Sequence, residues 1–306
     1  MSLPDDYLRY PARRRGMDHD LYAASRLHER PAPAWPNGAP VALWVTVQLE
    51  RFPLTPNADG PRVPGHVTTP FPDYRTYTAR DYGSRVGAYR VLRALDRLGV
   101  KATAFAQSSL LDHAPGLIED YAGAGHEVAA HGVDANHVHH EGLSEDDERR
   151  AIRACLDRFG EAGIAPRGWL SPGRFESFRT PRLLAEAGLA WLADWDNDDL
   201  PYAMTPGEGG AIVAMPYTEE LSDRRCMAEL GQDPATWASQ VSTAHDLLAG
   251  EGGRVLHVAL TPYVVGQPFR IAGLAGALAP VLDAGAWVAT GSEVVAAWRA
   301  SAGSST

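Results

Sequence analysis

From Val41 onward the chain alternates short β-rich runs with stretches of helical periodicity, and that alternation limits the available folds more than any other feature. The first run, Ala42 to Leu49, has the composition of a buried strand. Asp81 to Leu98 then places Val86, Tyr89, Leu92, Leu95 and Leu98 at helical spacing, with Gly99 as the stop. Further strands are predicted over Ala102–Gln107, Glu127–His131, Gly168–Leu170, Trp191–Trp195, Ile212–Tyr217, Arg254–Leu260 and Ala286–Thr290. Between them come helices over Ala114–Ala124, from Ser144 (with Asp147 as capping partner) to about Ala162, from Thr180-Pro181 to Gly188, over Ala235–Ala249 and Leu274–Asp283, and from Ser292. Strands separated by helices pair in parallel through crossovers. Seven or eight such units without a Gly-rich phosphate fingerprint predict a distorted, closed or nearly closed (β/α) barrel of seven to eight parallel strands, with an open sheet as second choice.

No Ser/Gly linker or charge block interrupts the middle of the 306 residues, so residues 39–306 are expected to form one barrel domain. Residues 1–38 are rich in Pro, Arg and Asp and end in the turn signal Trp35-Pro36-Asn37-Gly38; they read as an irregular arm. Residues 51 to 80 carry Pro53, Pro56, Pro61, Pro64, Pro70 and Pro72 and no periodicity. A connection that long inside a compact domain is usually functional or disordered.

The formal net charge of −10 argues against a nucleic-acid partner, which calls for a basic face. Cys155 and Cys226 are the only cysteines; no disulfide framework or cysteine metal motif exists, which fits a reducing compartment. The N-terminal residues have no apolar stretch of the signal-peptide kind, and no uncharged apolar run approaches the roughly 18 residues of a membrane span. A cytoplasmic protein without a nucleic-acid or membrane partner is expected.

Barrel chemistry sits where strands end. Glu50 ends the first. His131, His137, His139 and His140 follow the third, a density of imidazoles that suggests ligation or general-base work for His131 first and His137 second. His139 and His140 fall where an exposed loop is expected. Ser171-Pro172-Gly173-Arg174 makes a sharp turn from which Arg174 and backbone amides can line a pocket. Asp194, Asp196, Asp198 and Asp199 cluster with Trp195 and Tyr202 at another strand end, and Tyr217 and Tyr263 offer pocket walls. His257, mid-strand, reads as a satisfied core histidine; His113 and His126 read as surface or helix-flank residues.

In order along the chain, Trp35-Pro36-Asn37-Gly38, Asp81-Tyr82-Gly83-Ser84-Arg85-Val86-Gly87, Ala124-Gly125-His126-Glu127, His131-Gly132, Gly168-Trp169, Asn197-Asp198-Asp199-Leu200-Pro201-Tyr202, Pro216-Tyr217 and Gly266-Gln267-Pro268-Phe269-Arg270 resemble the polysaccharide-deacetylase superfamily. The likeness spans about residues 30 to 298 and looks closest to the branch with metal-independent allantoinases, cyclic imide hydrolases and a peptidoglycan deacetylase-like protein. It implies a distorted (β/α) barrel, often a homo-oligomer, with catalytic Glu50, His131 and Arg174. It also implies substrate contacts from Arg85, Trp169, Trp195, Asp198, Tyr217 and Thr261. In metal-using members two histidines and a carboxylate hold zinc; here that set would be Glu50, His131 and His137, so either no cofactor or one divalent metal is expected. Two departures stand out: Glu50 is followed by Arg51 instead of forming an aspartate pair, and Thr261 replaces a histidine that relatives carry as candidate acid/base.

The leading expectation is a hydrolase cleaving a non-peptide C–N bond (amide, imide or ureide) of a small molecule. The alternatives are a lyase or isomerase of specialised metabolism, for which Thr261 would be the marker, and a catalytically silent small-molecule binder.

Overall fold

The computed structural model describes residues 17–57, 60–67, 72–207 and 210–303, so residues 1–16 of the expected arm lie outside the described residues. Nine strands form one curled sheet: β1 (Val41–Leu49), β2 (Thr103–Ala106), β3 (Glu127–Ala130), β4 (Gly168–Trp169), β5 (Trp191–Leu192), β6 (Tyr202–Met204), β7 (Ile212–Ala214), β8 (Arg254–Leu260) and β9 (Trp287–Val288). Their order is β6-β7-β5-β4-β3-β2-β1-β8, and β9 pairs with the start of β1 at Ala42↔Trp287 and Leu43↔Val288. All neighbours are parallel except β6, which returns antiparallel along β7 (Tyr202↔Ala214). This is the expected (β/α) barrel, with an unpredicted antiparallel strand at its edge.

The alternation along β1 explains the two packed layers. Val41, Leu43, Val45, Val47 and Leu49 point outward into the helical layer, while Ala42 and Trp44 point inward. Inside, Trp44 meets Trp191 edge-on at a centroid separation of 5.9 Å and Phe105 at 6.2 Å, a preferred aromatic geometry. Burying each such side chain contributes about 2–3 kcal/mol. Continuing along the inward face of β1, Thr46, Gln48 and Glu50 follow Trp44, so the interior turns from apolar to polar toward the strand C-termini.

The two ends of this order, β6 and β8, do not pair, and side chains and loop backbone after β7 and before β6 bridge the seam. His257 on β8 accepts from the Thr218 backbone N–H at Nδ1 (2.9 Å), which leaves Nε2–H to donate to the Thr46 hydroxyl (3.0 Å). Gln48 Nε2 donates to the Tyr217 hydroxyl, and the Val255 amide donates to the Asp199 carbonyl (3.0 Å). Burial, with the charge of Arg174, pushes His257 down to about 3, so it stays neutral. It is a satisfied core histidine, as its sequence position suggests.

The helices are α1 (Tyr74–Tyr82), α2 (Ala88–Leu98), α3 (Leu110–His113), α4 (Leu117–Gly123), α5 (Glu145–Glu161), α6 (Thr180–Glu186), α7 (Pro234–Glu251), α8 (Pro262–Val265), α9 (Ala272–Asp283) and α10 (Gly291–Gly303). The helices α3 and α8 were not predicted, and others begin differently from expectation. The helix expected from Asp81 starts at Tyr74, where Asp73 caps it by accepting from the Thr76 amide (3.0 Å), and a π-turn over Gly83–Gly87 separates α1 from α2. The interruption lets the backbone pass against α8: a Cβ on Gly87 would lie 2.1 Å from the Pro262 carbonyl oxygen. Thr180 is the first residue of α6 instead of its cap, its hydroxyl accepting from the Ser177 amide (2.8 Å). The Ser144 cap of α5 is found as expected, accepting from the Asp147 amide (3.1 Å). Among the described residues no helix is long and apolar enough to cross a membrane.

The described part of the arm lies on the barrel: Trp35 is buried and donates its indole N–H to the Arg254 carbonyl (2.9 Å), and Tyr22 packs on Trp195 and Tyr202. Cys155 is buried on α5, as expected of a small apolar residue.

Candidate active site

At the C-terminal end of the barrel an open cavity of about 60 Å³ is lined by Gln48, Glu50, Pro64, His131, Leu170, Gly173, Arg174, Tyr217, Glu219 and Arg224. Inward alternation puts Glu50 just beyond β1 and His131 just beyond β3. The His131 ring is fixed: its Nδ1 lies 2.8 Å from the Leu170 carbonyl, which can only accept, so Nδ1 carries a proton. In the neutral ring Nε2 then holds a lone pair. That nitrogen is buried, has no hydrogen-bond partner among the described residues, and lies 3.6 Å from Glu50 Oε1. A buried polar atom without a partner calls for an explanation, and a ligand is one.

Arg174 sits on the Ser171–Arg174 turn with φ 58°, a left-handed conformation uncommon for a residue with a side chain, just after Gly173 at φ 63°. Such backbone persists where surroundings over-determine it. Here the Arg174 amide donates to the Ser171 carbonyl (2.8 Å), and the guanidinium lies 4.8 Å over the Tyr217 ring. It also reaches Asp196 (3.1 Å) and Glu219 (3.6 Å). Asp194 supports the turn from behind, accepting from the Ser171 amide (2.6 Å) and hydroxyl (2.9 Å). Burial and the adjacent Asp194 push Glu176 well above the usual carboxylate range, and burial raises Asp194 too, so the two hold a proton between them.

Across the cavity Arg224 opens a second π-turn, Arg224–Glu229, and pairs with both Glu219 and Glu229. Its neighbour Asp223, fully buried, accepts from the backbone amides of Thr261 (2.9 Å) and Val265 (3.1 Å); burial raises its carboxyl to about 7. Neither residue was singled out from sequence. Described residues of the strap between β1 and α1 reach the cavity wall. Pro64 lines the cavity, Arg80 donates to the Gly65 carbonyl (2.7 Å), and Asn136 holds the strap by donating to the Thr55 carbonyl (2.9 Å) and contacting His66 Nε2 (2.8 Å).

Of the predicted site residues, Glu50, His131, Arg174 and Tyr217 share the cavity. The others do not line it. Arg85 is exposed on the first π-turn, paired with Asp81 (3.6 Å). Trp169 points outward into the core, its indole donating to the Ser171 hydroxyl (3.0 Å). Trp195 lies under the arm and donates to Glu176 (2.8 Å), and Asp198 pairs with Arg30. Thr261 is buried against Asp223. Two histidine expectations are corrected. His139 is buried beside Glu148 (3.4 Å) and Trp169, because the loop folds back under α5, and His126 is buried with Nδ1 accepting from the Ala102 amide (2.9 Å). Burial, with Lys101 adding to it, lowers His126 to about 4.

His137 does not join Glu50 and His131. Its Nδ1 is engaged by Asp134 at 2.6 Å, and the ring is half exposed. Among the described residues no group of three His, Cys, Asp or Glu side chains is arranged to hold a metal ion. Zinc sites of this kind draw three protein ligands, and the two donors that converge here do not fit that requirement.

Comparison with known proteins agrees with the fold. Residues 72–191 match the family model for polysaccharide deacetylase. A Schizosaccharomyces pombe protein described as a candidate polysaccharide deacetylase is 28% identical over 246 residues, covering 72% of this chain and 75% of its own. The crystal structure of another candidate polysaccharide deacetylase, from Mycobacterium smegmatis, superposes with a TM-score of 0.76 at 27% identity, covering 92% of this chain and 95% of its own. An allantoinase structure, Puue, gives a TM-score of 0.79 at 24% identity over 89% of this chain and 94% of its own. Residues 72–191 therefore carry a polysaccharide-deacetylase domain by their match to that family model, and the fold around them is similar to that of the solved polysaccharide-deacetylase-like structures.

Proposed function

We propose that the cavity hydrolyses a C–N bond (amide, imide or ureide) of a small, non-polymeric molecule. The observation that carries this reading is the His131–Glu50 pair on the cavity wall: a histidine whose tautomer is fixed by the Leu170 carbonyl and whose free Nε2 lies 3.6 Å from the Glu50 carboxylate. His131 Nε2 takes a proton from water as its oxygen bonds to the substrate carbonyl carbon, and Glu50 stabilises the imidazolium. Arg174 and Arg224 face the oxygen on which negative charge develops. The imidazolium then gives its proton to the departing nitrogen as the C–N bond breaks, leaving a carboxyl-type product and an amine or amide. No step is routed through a metal. The strap residues at the cavity wall favour small substrates, and Thr261, tied to Asp223, leaves His131 as the acid/base.

The test is a panel of cyclic imides, hydantoins, ureides and N-acetylated sugars, read by mass spectrometry for addition of water. Turnover of a small imide or ureide, reduced ~100-fold or more in Glu50→Gln, supports the reading. A product isomeric with the substrate would replace it with the lyase or isomerase reading. Saturable binding without turnover would replace it with the silent binder.

A further inference from the structure

Glu219 stands in the cavity wall between two guanidiniums. One of its carboxylate oxygens faces Arg174 at 3.6 Å and the other pairs with Arg224, while its side chain is only 15% exposed. Each arginine has a second acid as well: Asp196 for Arg174 (3.1 Å) and Glu229 for Arg224. Both cations that line the cavity are thus matched within the chain, and the remaining acid on the lining is Glu50 beside His131. Two arginines converging on one point form a cradle for a carboxylate or similar anion. In this chain the cradle is filled by the protein's own side chain.

We infer that Glu219 is a built-in anion that selects uncharged substrates, occupying the position a substrate carboxylate would otherwise take. An anionic ligand entering the cavity meets Glu50 and Glu219 with no unmatched arginine, and like charges brought together out of water cost several kcal/mol. This rests on reading the cavity as the substrate site.

Glu219→Ala removes the CγH₂–carboxylate unit, which differs from acetate by one hydrogen, and leaves the two arginines facing a space of that shape. The full-length protein and this variant are melted in sodium acetate and, as control, in sodium chloride at equal ionic strength. Acetate is expected to stabilise Glu219→Ala with a Kd in the low millimolar range and to leave the wild type at its chloride value. Equal responses of the two proteins, or none in Glu219→Ala, would overturn the inference. Should Glu219→Ala not fold, the nearly isosteric Glu219→Gln is titrated with hydantoin and hydantoin-5-acetate. The wild type is expected to favour the uncharged ligand ~100-fold, and the variant to narrow that gap ~10-fold; an unchanged gap would overturn the inference. The acetate response is a binding readout, so it stands apart from the hydrolytic reading: a positive response in a protein that turns nothing over keeps the built-in anion and removes the hydrolase.

Discussion

Two buried histidines inside the same barrel make the most informative contrast in the molecule. His257, midway along β8, has both ring nitrogens bonded, one to the Thr218 amide and one to the Thr46 hydroxyl. His131, at the end of β3, has one nitrogen bonded to the Leu170 carbonyl and the other open toward Glu50. Both are about equally hidden, at 1% and 2% exposure, so burial alone does not separate a structural imidazole from a working one. What separates them is how far the surrounding fold completes their hydrogen bonds. A buried polar atom left unmatched at a cavity wall calls for a partner from outside the chain, a water or a ligand.

The largest expected effect breaks the contrast at its functional end. His131→Ala should lower kcat/KM by ~10³-fold, the usual worth of a positioned acid/base, while its thermal midpoint stays near that of the wild type. Loss of fold together with loss of turnover would make His131 another His257. At the structural end, His257→Ala should destabilise the protein by about 3 kcal/mol in urea unfolding, because it leaves the Thr218 amide and Thr46 hydroxyl unpaired and opens a cavity. Full stability would show that the seam closes without it.

The same histidine gives a pH prediction. Its folded pKa, about 3, lies below the ordinary histidine value of 6.5, so the unfolded chain binds the extra proton between these values. Stability is therefore complete above about pH 6.5 and falls as the solution is acidified toward pH 3, by on the order of 4 kcal/mol from this one group. His257→Gln should flatten that slope, apart from the smaller parallel contribution of His126. The smallest effect sharpens the contrast from the other side: because two donors converge at the cavity instead of three, dialysis against a chelator should change turnover less than about twofold. A loss reversed by added zinc would show that His137 leaves Asp134 to complete a metal site.

Much of the fold was legible because buried parallel strands write themselves as apolar runs, and β1, β2, β3 and β8 fall where those runs do. The strand β6 was not, since Tyr202-Ala203-Met204 after Pro201 is too short to show a period. The two π-turns were equally hidden: each adds a single residue to a helical turn, and what requires the first, the approach of Gly87 to Pro262, joins distant parts of the chain. At the site, Glu50, His131, Arg174 and Tyr217 were found because all lie just beyond strand C-termini, where barrel chemistry is looked for. His137 was carried into the metal set by its spacing from His131, while the nearer Asp134 decides where its ring goes. Glu219, Asp223 and Arg224 lie on an irregular segment with no pattern to read, and only folding brings them to the cavity.

The unpaired seam between β6 and β8, the two ends of the strand order, has a dynamic consequence. Along most of the sheet, separating neighbours means breaking a continuous backbone ladder. Along this edge it means releasing a few side-chain links and the single amide bond between Val255 and Asp199. Local opening follows the least cooperative boundary, so the barrel should breathe there first, like a cuff with one fastening. Because Tyr217 and the loop bearing Glu219 hang from one side of that fastening and Thr261 from the other, each such breath changes the width of the cavity and so sets the pace at which molecules enter and leave.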